Sequence, residues 1–266
     1  MIGSSIIRRV FKDSFINSIK SIYKRDLKEE NLIRSLPRFT KYHAKLDRFK
    51  VFFPDSESFL SMREEIWNKE SYFFKSEEEV PYIIDCGSNI GLSVLYFKLL
   101  FPASKILAFE PDPVLLHFLN QNLKSNSINN VEVVPKAVWN SNEKLFFLAD
   151  GADGGKISPT PTSQSVEAVS LVPFLERKVD LLKIDIEGNE LEVLRSCKDK
   201  LYNVQKLFIE YHSFKNKLQQ LSKILKILEE GGFRYFLESA TPRRMPFSFA
   251  SNQEMDLQVN IHAWQN

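Results

Sequence analysis

Two short blocks in the second half of the chain hold the residues best suited to chemistry. Lys183-Ile184-Asp185-Ile186-Glu187-Gly188 sets two carboxylates at alternate positions after an apolar run, and Ile209-Glu210-Tyr211-His212 does the same with a carboxylate and an imidazole. Such groups can take a proton from a hydroxyl, as an imidazole does near neutrality, or hold a divalent cation that lowers the hydroxyl's pKa. A third block, Asp85-Cys86-Gly87-Ser88-Asn89-Ile90-Gly91, follows the apolar run Tyr82-Ile83-Ile84 and leads into an apolar periodic segment ending at Phe101. Gly87 lets the backbone turn sharply and approach a ligand, and Gly91 is expected to let the new helix pack closely on its strand. Glu110 lies 25 residues after Asp85, at the end of the run Lys105–Phe109 and ahead of Pro111-Asp112-Pro113. An acidic residue there can accept both hydroxyls of a ribose.

The spacing Asp-x-Gly-x-x-x-Gly differs from the dinucleotide fingerprint Gly-x-Gly-x-x-Gly, and the difference selects by charge. A pyrophosphate seated on a helix N-terminus would be repelled by a carboxylate at Asp85. A ligand with a positive amino group or sulfonium would be attracted, and S-adenosylmethionine carries both.

These residues need a scaffold that brings strand ends together. Apolar runs at residues 82–84, 105–109, 131–134, 179–184 and 205–209 read as buried parallel strands, with helices at 90–101, 114–124, 189–197 and 215–230 between them. Residues 233–238 and 256–264 complete a seven-stranded sheet, the last strand antiparallel. In an open α/β sheet, ligands bind outside the carboxyl ends of the strands. Asp85, Glu110, Asp185, Glu187, Glu210 and His212 all fall at such ends. Residues 144–149 and 166–170 alternate like strands with one exposed face. The segment Asp150–Ser165 between them, dense in Gly, Ser, Thr, Pro and Asp, is expected to be a lid over the substrate. The turn after the third strand is where a nucleotide base would lie in such a sheet.

Ahead of this unit, residues 31–80 are expected to be a helical preamble. Tyr72, in its aromatic segment Glu65–Phe74, is expected to edge the cofactor pocket. Residues 4–24 place Ile6, Ile7, Val10, Phe11, Phe15, Ile19, Ile22 and Tyr23 on one face of a basic helix. Docking on the body of the protein or on a second subunit, as a homodimer, is the favoured use. Peripheral contact with an anionic membrane surface is the alternative. Residues 1–64 are thus read as a basic helical extension and 65–266 as the catalytic domain.

The chain of 266 residues carries a net charge of only +2, unevenly spread. Residues 1–50 hold thirteen basic against five acidic residues, so the remainder is negative by six. An acidic body disfavours nucleic-acid phosphates as substrate. Two cysteines, Cys86 and Cys197, make no disulfide framework and no zinc-ligand spacing. With no signal-peptide core and no run long enough to span a bilayer, the expected place is the cytoplasm, or its inner membrane surface if the basic helix binds there.

The four blocks Asp85–Gly91, Phe109-Glu110-Pro111, Lys183–Gly188 and Ile209–His212 together resemble the successive motifs of the FkbM-type S-adenosylmethionine-dependent methyltransferases, over residues 65–264. The resemblance implies a Rossmann-like seven-stranded α/β sheet. It implies cofactor contacts from Tyr72, Asp85, Gly87, Ser88, Asn89, Gly91, Glu110 and Ala137, with Asp85 near the amino group. It also implies methylation of hydroxyl groups on sugars, glycans or secondary metabolites. The catalytic candidates are Asp185, Glu187, Glu210 and His212, with His212 and Asp185 competing as base. A divalent metal held by the same groups is a third mechanism, less favoured because no spacing specifies a site. A nicotinamide-dependent sugar oxidoreductase and a non-catalytic cofactor-binding module are the alternatives in function.

Overall fold

The computed structural model describes residues 29–152, 154–215, 217–240, 247 and 255–265. The basic helix expected over residues 4–24 lies outside them. Among the described residues, no helix is long and apolar enough to cross a membrane.

The chain leads with a hairpin, β1 (Tyr42–Leu46) and β2 (Phe49–Phe53), then α1 (Ser56–Arg63) and a π-helical turn, Glu64–Asn68. The expected helical preamble over residues 31–80 is corrected here. The hairpin alternates buried and exposed positions, and Ala44, Leu46, Phe49, Val51 and Phe53 enter the same core as Ile83, Leu95 and Phe97. Asp55 caps α1 by accepting from Ser58 N at 3.0 Å.

Next come β3 (Tyr82–Cys86), α2 (Leu92–Leu100), β4 (Lys105–Phe109), α3 (Pro113–Ser125) and β5 (Val131–Val134). Asp112 caps α3, its side chain accepting from Val114 N, with Pro113 in the first turn. Leu115, Phe118, Leu119, Asn122 and Leu123 form its buried stripe. Asn122 ties three elements together. Its Oδ1 accepts from Phe52 N, while its Nδ2 donates to Phe52 O and to Ile90 O in the glycine turn, at 2.7 to 2.9 Å.

A smaller sheet follows, built from β6 (Ala137–Trp139), β7 (Lys144–Leu148), β8 (Lys156–Ser158) and β9 (Gln164–Ser170) in the order β6-β9-β7-β8. The segment expected to be an irregular lid therefore contains a strand, β8, paired with β7. Beyond it lie β10 (Leu181–Ile184), α4 (Glu190–Cys197), β11 (Lys206–Phe214), α5 (Leu221–Glu230), β12 (Arg234–Ser239) and β13 (Met255–Trp264). Helix α5 starts six residues later than the periodicity suggests. A turn from Lys217 N to Phe214 O and a bond from Gln220 N to the Tyr211 hydroxyl hold the backbone out of helix until Gln220.

The main sheet has seven strands in the order β12-β13-β11-β10-β3-β4-β5. Strands β11, β10, β3, β4 and β5 are parallel, and β13 runs antiparallel to both its neighbours. From β3 the chain steps outward through β4 and β5, then returns to the other side of β3 through β10 and β11. That reversal opens a crevice at the carboxyl ends of β3 and β10, where α/β sheets bind ligands.

Candidate active site

A cavity opens in the crevice. One end is apolar, with Phe109, Leu115, Ala137, Val138, Phe147 and Ile157 on its wall. The other end is acidic, with Glu65, Asp185, Glu187 and Glu210. Between them lies the glycine turn. Gly87 has φ +84°, and a Cβ there would fall 1.9 Å from the Asp185 carbonyl oxygen, so only glycine fits this crossing. Gly91 also has φ +85°, but a Cβ there would meet Leu119 of α3 at 2.5 Å, so the close packing is against that helix and not its own strand. β8 closes the apolar end, and Asn89 Nδ2 donates to Ala152 O on the way into it.

Glu110 sits in the cavity wall, 4% exposed. Asn89 N donates to its Oε2 and Asp112 N to its Oε1, each at 2.8 Å. Burial raises its pKa to about 8 against the pull of those two bonds. Each oxygen keeps acceptor capacity beyond its one backbone donor. Ser88, Asn89 and Ala137 line the cavity beside it, and Tyr72 lines the acidic end, its ring 4.7 Å edge-on from Phe208.

Asp85 is placed differently from the sequence expectation, and its assignment to the cofactor's amino group is corrected. Its side chain is fully buried and does not line the cavity. Lys183 Nζ stands 3.2 Å from its Oδ1, and Ser93 Oγ donates to its Oδ2 at 2.5 Å. Lys183, 2% exposed, also lies 3.4 Å from Asp185 Oδ2 and donates to Gly87 O at 2.9 Å. Burial works against its charge, but Asp85 and Asp185 more than compensate and hold it protonated. Lys183 thus joins the ends of β3 and β10 and itself forms part of the cavity lining. Sequence reasoning does not single it out, because it reads as part of a strand. A lone lysine within Leu181-Leu182-Lys183-Ile184 is the available signal, and its partner follows from register, since Lys183 pairs directly with Asp85.

At the acidic end, β11 outruns its parallel neighbour. Pairing with β10 stops at Ile209, whereas pairing with β13 continues to Phe214. Glu210 and His212 therefore lie inside a strand yet project beyond the rim. Burial, then Asp185 and Glu65, push the Glu210 carboxyl well above its ordinary pKa, and Gln258 donates to it. Burial and Asp185 likewise raise Glu65. Glu187 adopts φ +60°, a left-handed conformation that side-chain-bearing residues take infrequently.

His212 is 4% exposed. Its Nδ1 meets Glu190 Oε1 at 3.0 Å, and Glu190, the first residue of α4, is itself buried and accepts from Gly188 N at 2.8 Å. The other ring nitrogen faces the acidic cluster, with Glu187 at 3.7 Å and Glu210 at 3.9 Å. Burial pulls the imidazole pKa down, but the Glu190 bond and charge, with Glu187 and Glu210, hold it well above its usual value. Glu190 is not singled out by the sequence reading; the acid three residues after Glu187 in Glu187-Gly188-Asn189-Glu190 is its signal. His212 lines a neighbouring cavity with Glu190 and Tyr211 rather than the crevice itself, and a nitrogen fixed at one side by a carboxylate, as Nδ1 is here, is the arrangement of an oriented base. One donor atom each from Asp185, Glu187 and His212 also lies within 4.8 Å of the others, close enough to share a cation. The two uses exclude each other, because a metal would occupy the lone pair that a base needs.

Comparison with known proteins agrees with this architecture. A family model described as the methyltransferase FkbM domain matches residues 85–235, more than half the chain. "Methyltransferase sdnD" of Sordaria araneosa is 31% identical over 170 residues, covering 49% of this chain and 66% of that protein. "Hexuronic acid methyltransferase AglP" of Haloferax volcanii is 27% identical over 142 residues, covering 51% of this chain and 58% of that one. Among solved structures, the methyltransferase FkbM of Methylobacillus flagellatus superposes with a TM-score of 0.52 at 16% identity, over 76% of this chain and 47% of that chain. The chain thus spans two thirds or less of the length of these proteins. It belongs to the FkbM methyltransferase family.

Proposed function

We propose that this protein transfers the methyl group of S-adenosylmethionine to a hydroxyl of a sugar, glycan or similar polyhydroxylated acceptor. The observation that carries the reading is His212, held at Nδ1 by buried Glu190, with its other nitrogen 3.7 to 3.9 Å from Glu187 and Glu210, which line the acidic end of the cavity. The residues present fit the cofactor. The apolar end suits adenine, the spare acceptor capacity of Glu110 suits a ribose, and Asp185, Glu187 and Glu210 suit a cationic amino group and sulfonium. The same carboxylates oppose a dinucleotide's pyrophosphate, which weighs against a nicotinamide oxidoreductase. The relative named for hexuronic acid methylation supports a sugar-type acceptor.

When bound, the cofactor supplies a methyl carbon already activated by its sulfonium. The chain's own part is to hold the acceptor oxygen in line and remove its proton. His212 takes that proton at the nitrogen facing Glu187 and Glu210, and Glu190 stabilises the imidazolium that results. Asp185, ion-paired to Lys183, is the poorer base. Isothermal titration with S-adenosylmethionine and with NAD, followed by mass spectrometry of a glycan extract for a gain of one methyl unit, tests the assignment. Heat from NAD and none from S-adenosylmethionine would refute it.

A further inference from the structure

A second cavity opens beside the acidic end of the first and shares Ser61, Glu65, Glu210 and Gln258 with it. Its floor comes from register. Glu238 of β12 pairs with Asn260 of β13, and Asn260 pairs with Glu210 of β11. Directly opposed residues leave the same face of a sheet, so the three side chains form one row across three strands. Glu65, from the π-helical turn, accepts from Asn260 Nδ2 at 2.9 Å.

Two observations define what the cavity takes. The first is charge: Glu64, Glu65, Glu210 and Glu238 face one ammonium, Lys69, and among the described residues Ala240 is the only apolar one on its walls. Burial favours the proton on Glu65 and Glu210, so the anionic face is that of the exposed Glu64 and Glu238, whose carboxylates, when ionised, only accept hydrogen bonds. An occupant must bring donors and must not bring a carboxylate or phosphate of its own. The second is Asn260, 4% exposed, whose Oδ1 accepts no hydrogen bond among the described residues. A buried amide oxygen without a donor is unfavourable, and a donor from the cavity would relieve it. The volume is 180 Å³, room for on the order of ten waters, and enough for one sugar ring.

We propose that this cavity is the acceptor site, and that it admits a neutral or amino-bearing sugar ring while rejecting uronic and phosphorylated sugars. The inference rests on the O-methyltransferase reading and adds the acceptor's class and place. Glu65 and Glu210, common to both cavities, set the boundary across which an acceptor hydroxyl would meet the cofactor.

Saturation-transfer NMR on the full chain, with methyl glucoside, methyl glucosaminide and methyl glucuronide as probes, tests it without requiring turnover. The first two are expected to receive saturation and the glucuronide to receive none. Glu238→Lys, an exposed substitution at the sheet edge, should weaken the glucosaminide about tenfold, the effect of one charged hydrogen bond. Asn260→Leu should weaken both sugars while cofactor titration heats stay unchanged. Equal saturation of the glucuronide, or unaltered sugar binding in both variants, overturns the proposal. Loss of cofactor heat in the unsubstituted protein would instead sink the methyltransferase reading, and the sugar-binding result would still decide this one.

Discussion

Replacing Glu190 by Gln tests the catalytic reasoning where it is most exposed. The substitution keeps the side-chain shape and the acceptor for Gly188 N, but removes the negative charge 3.0 Å from His212 Nδ1. Both side chains are almost fully buried, at 1% and 2% exposure, so solvent screens little of the interaction. An opposite charge that close shifts a pKa by about 1 to 3 units. The imidazolium therefore loses about 1.4 to 4 kcal/mol of stabilisation. The sign follows from the role. A base works only when deprotonated, and Glu190, Glu187 and Glu210 all favour the proton on His212. In the unsubstituted protein the rate should rise with pH through a midpoint well above 6.5, the usual imidazole value. In Glu190→Gln that midpoint should move to lower pH by about 1 to 3 units. The alkaline plateau should fall, by no more than the roughly 10²- to 10⁴-fold that a base contributes. The assay is kcat/KM for methyl transfer from labelled cofactor from roughly pH 5.5 to roughly pH 10. A midpoint that stays put or moves upward would refute the account of His212.

Three further outcomes follow from the buried charges. Lys183→Met leaves Asp85 charged and uncompensated, and should cost about 3 to 5 kcal/mol in denaturant unfolding; adding Asp85→Asn to it should recover part of that loss, whereas additive losses would disprove the pairing. Glu110 keeps its proton up to about pH 8 when folded, against an ordinary carboxyl near 4.5, so it favours the native state below pH 4.5 and that contribution is lost as pH climbs through 8. Glu110→Gln should therefore flatten the fall of Tm over this range while weakening cofactor binding, and an unchanged Tm slope would contradict the burial argument. Finally, the metal-free mechanism predicts that a chelator leaves the initial rate unchanged, and restoration of a lost rate by Mn²⁺ would assign Asp185, Glu187 and His212 to a cation instead.

Much of this architecture can be read from the sequence, for one physical reason. Parallel strands buried on both faces are written as continuous apolar runs, and those at Tyr82, Lys105, Val131, Leu181 and Lys206 fall where the runs lie. Strand ends then follow, and with them Glu110, Asp185, Glu187 and Glu210. The hairpin escapes such a reading although Tyr42–Leu46 alternates, because the surrounding lysines and arginines suit an exposed helix equally well. It is held to the body by core packing and by Asn122, some seventy residues away in sequence. Asp85 invites misassignment because a carboxylate at a strand end looks free until its neighbour across the sheet is known. Glu190 and Glu65 act through partners 22 and 195 positions distant, His212 and Asn260, and local pattern carries no trace of such pairs.

Register explains both the missed residues and the site. Three acids and a histidine in so small a volume would repel or neutralise one another unless each had a fixed counterpart. Lys183 lies directly opposite Asp85 in the parallel half; in the antiparallel half Gln258, opposite His212, donates diagonally to Glu210, while His212 takes its counterpart from Glu190 of α4. The antiparallel strand is what makes the second set feasible. Once β10 ends, β11 has no parallel neighbour on that side, and a loop would begin at Glu210 if β13 did not continue the ladder. Glu210 and His212 are thus carried past the rim on rigid backbone, where a base can be held to the tolerance that in-line transfer demands. A loop in their place could present the same residue types but not the same fixed distance to Glu190.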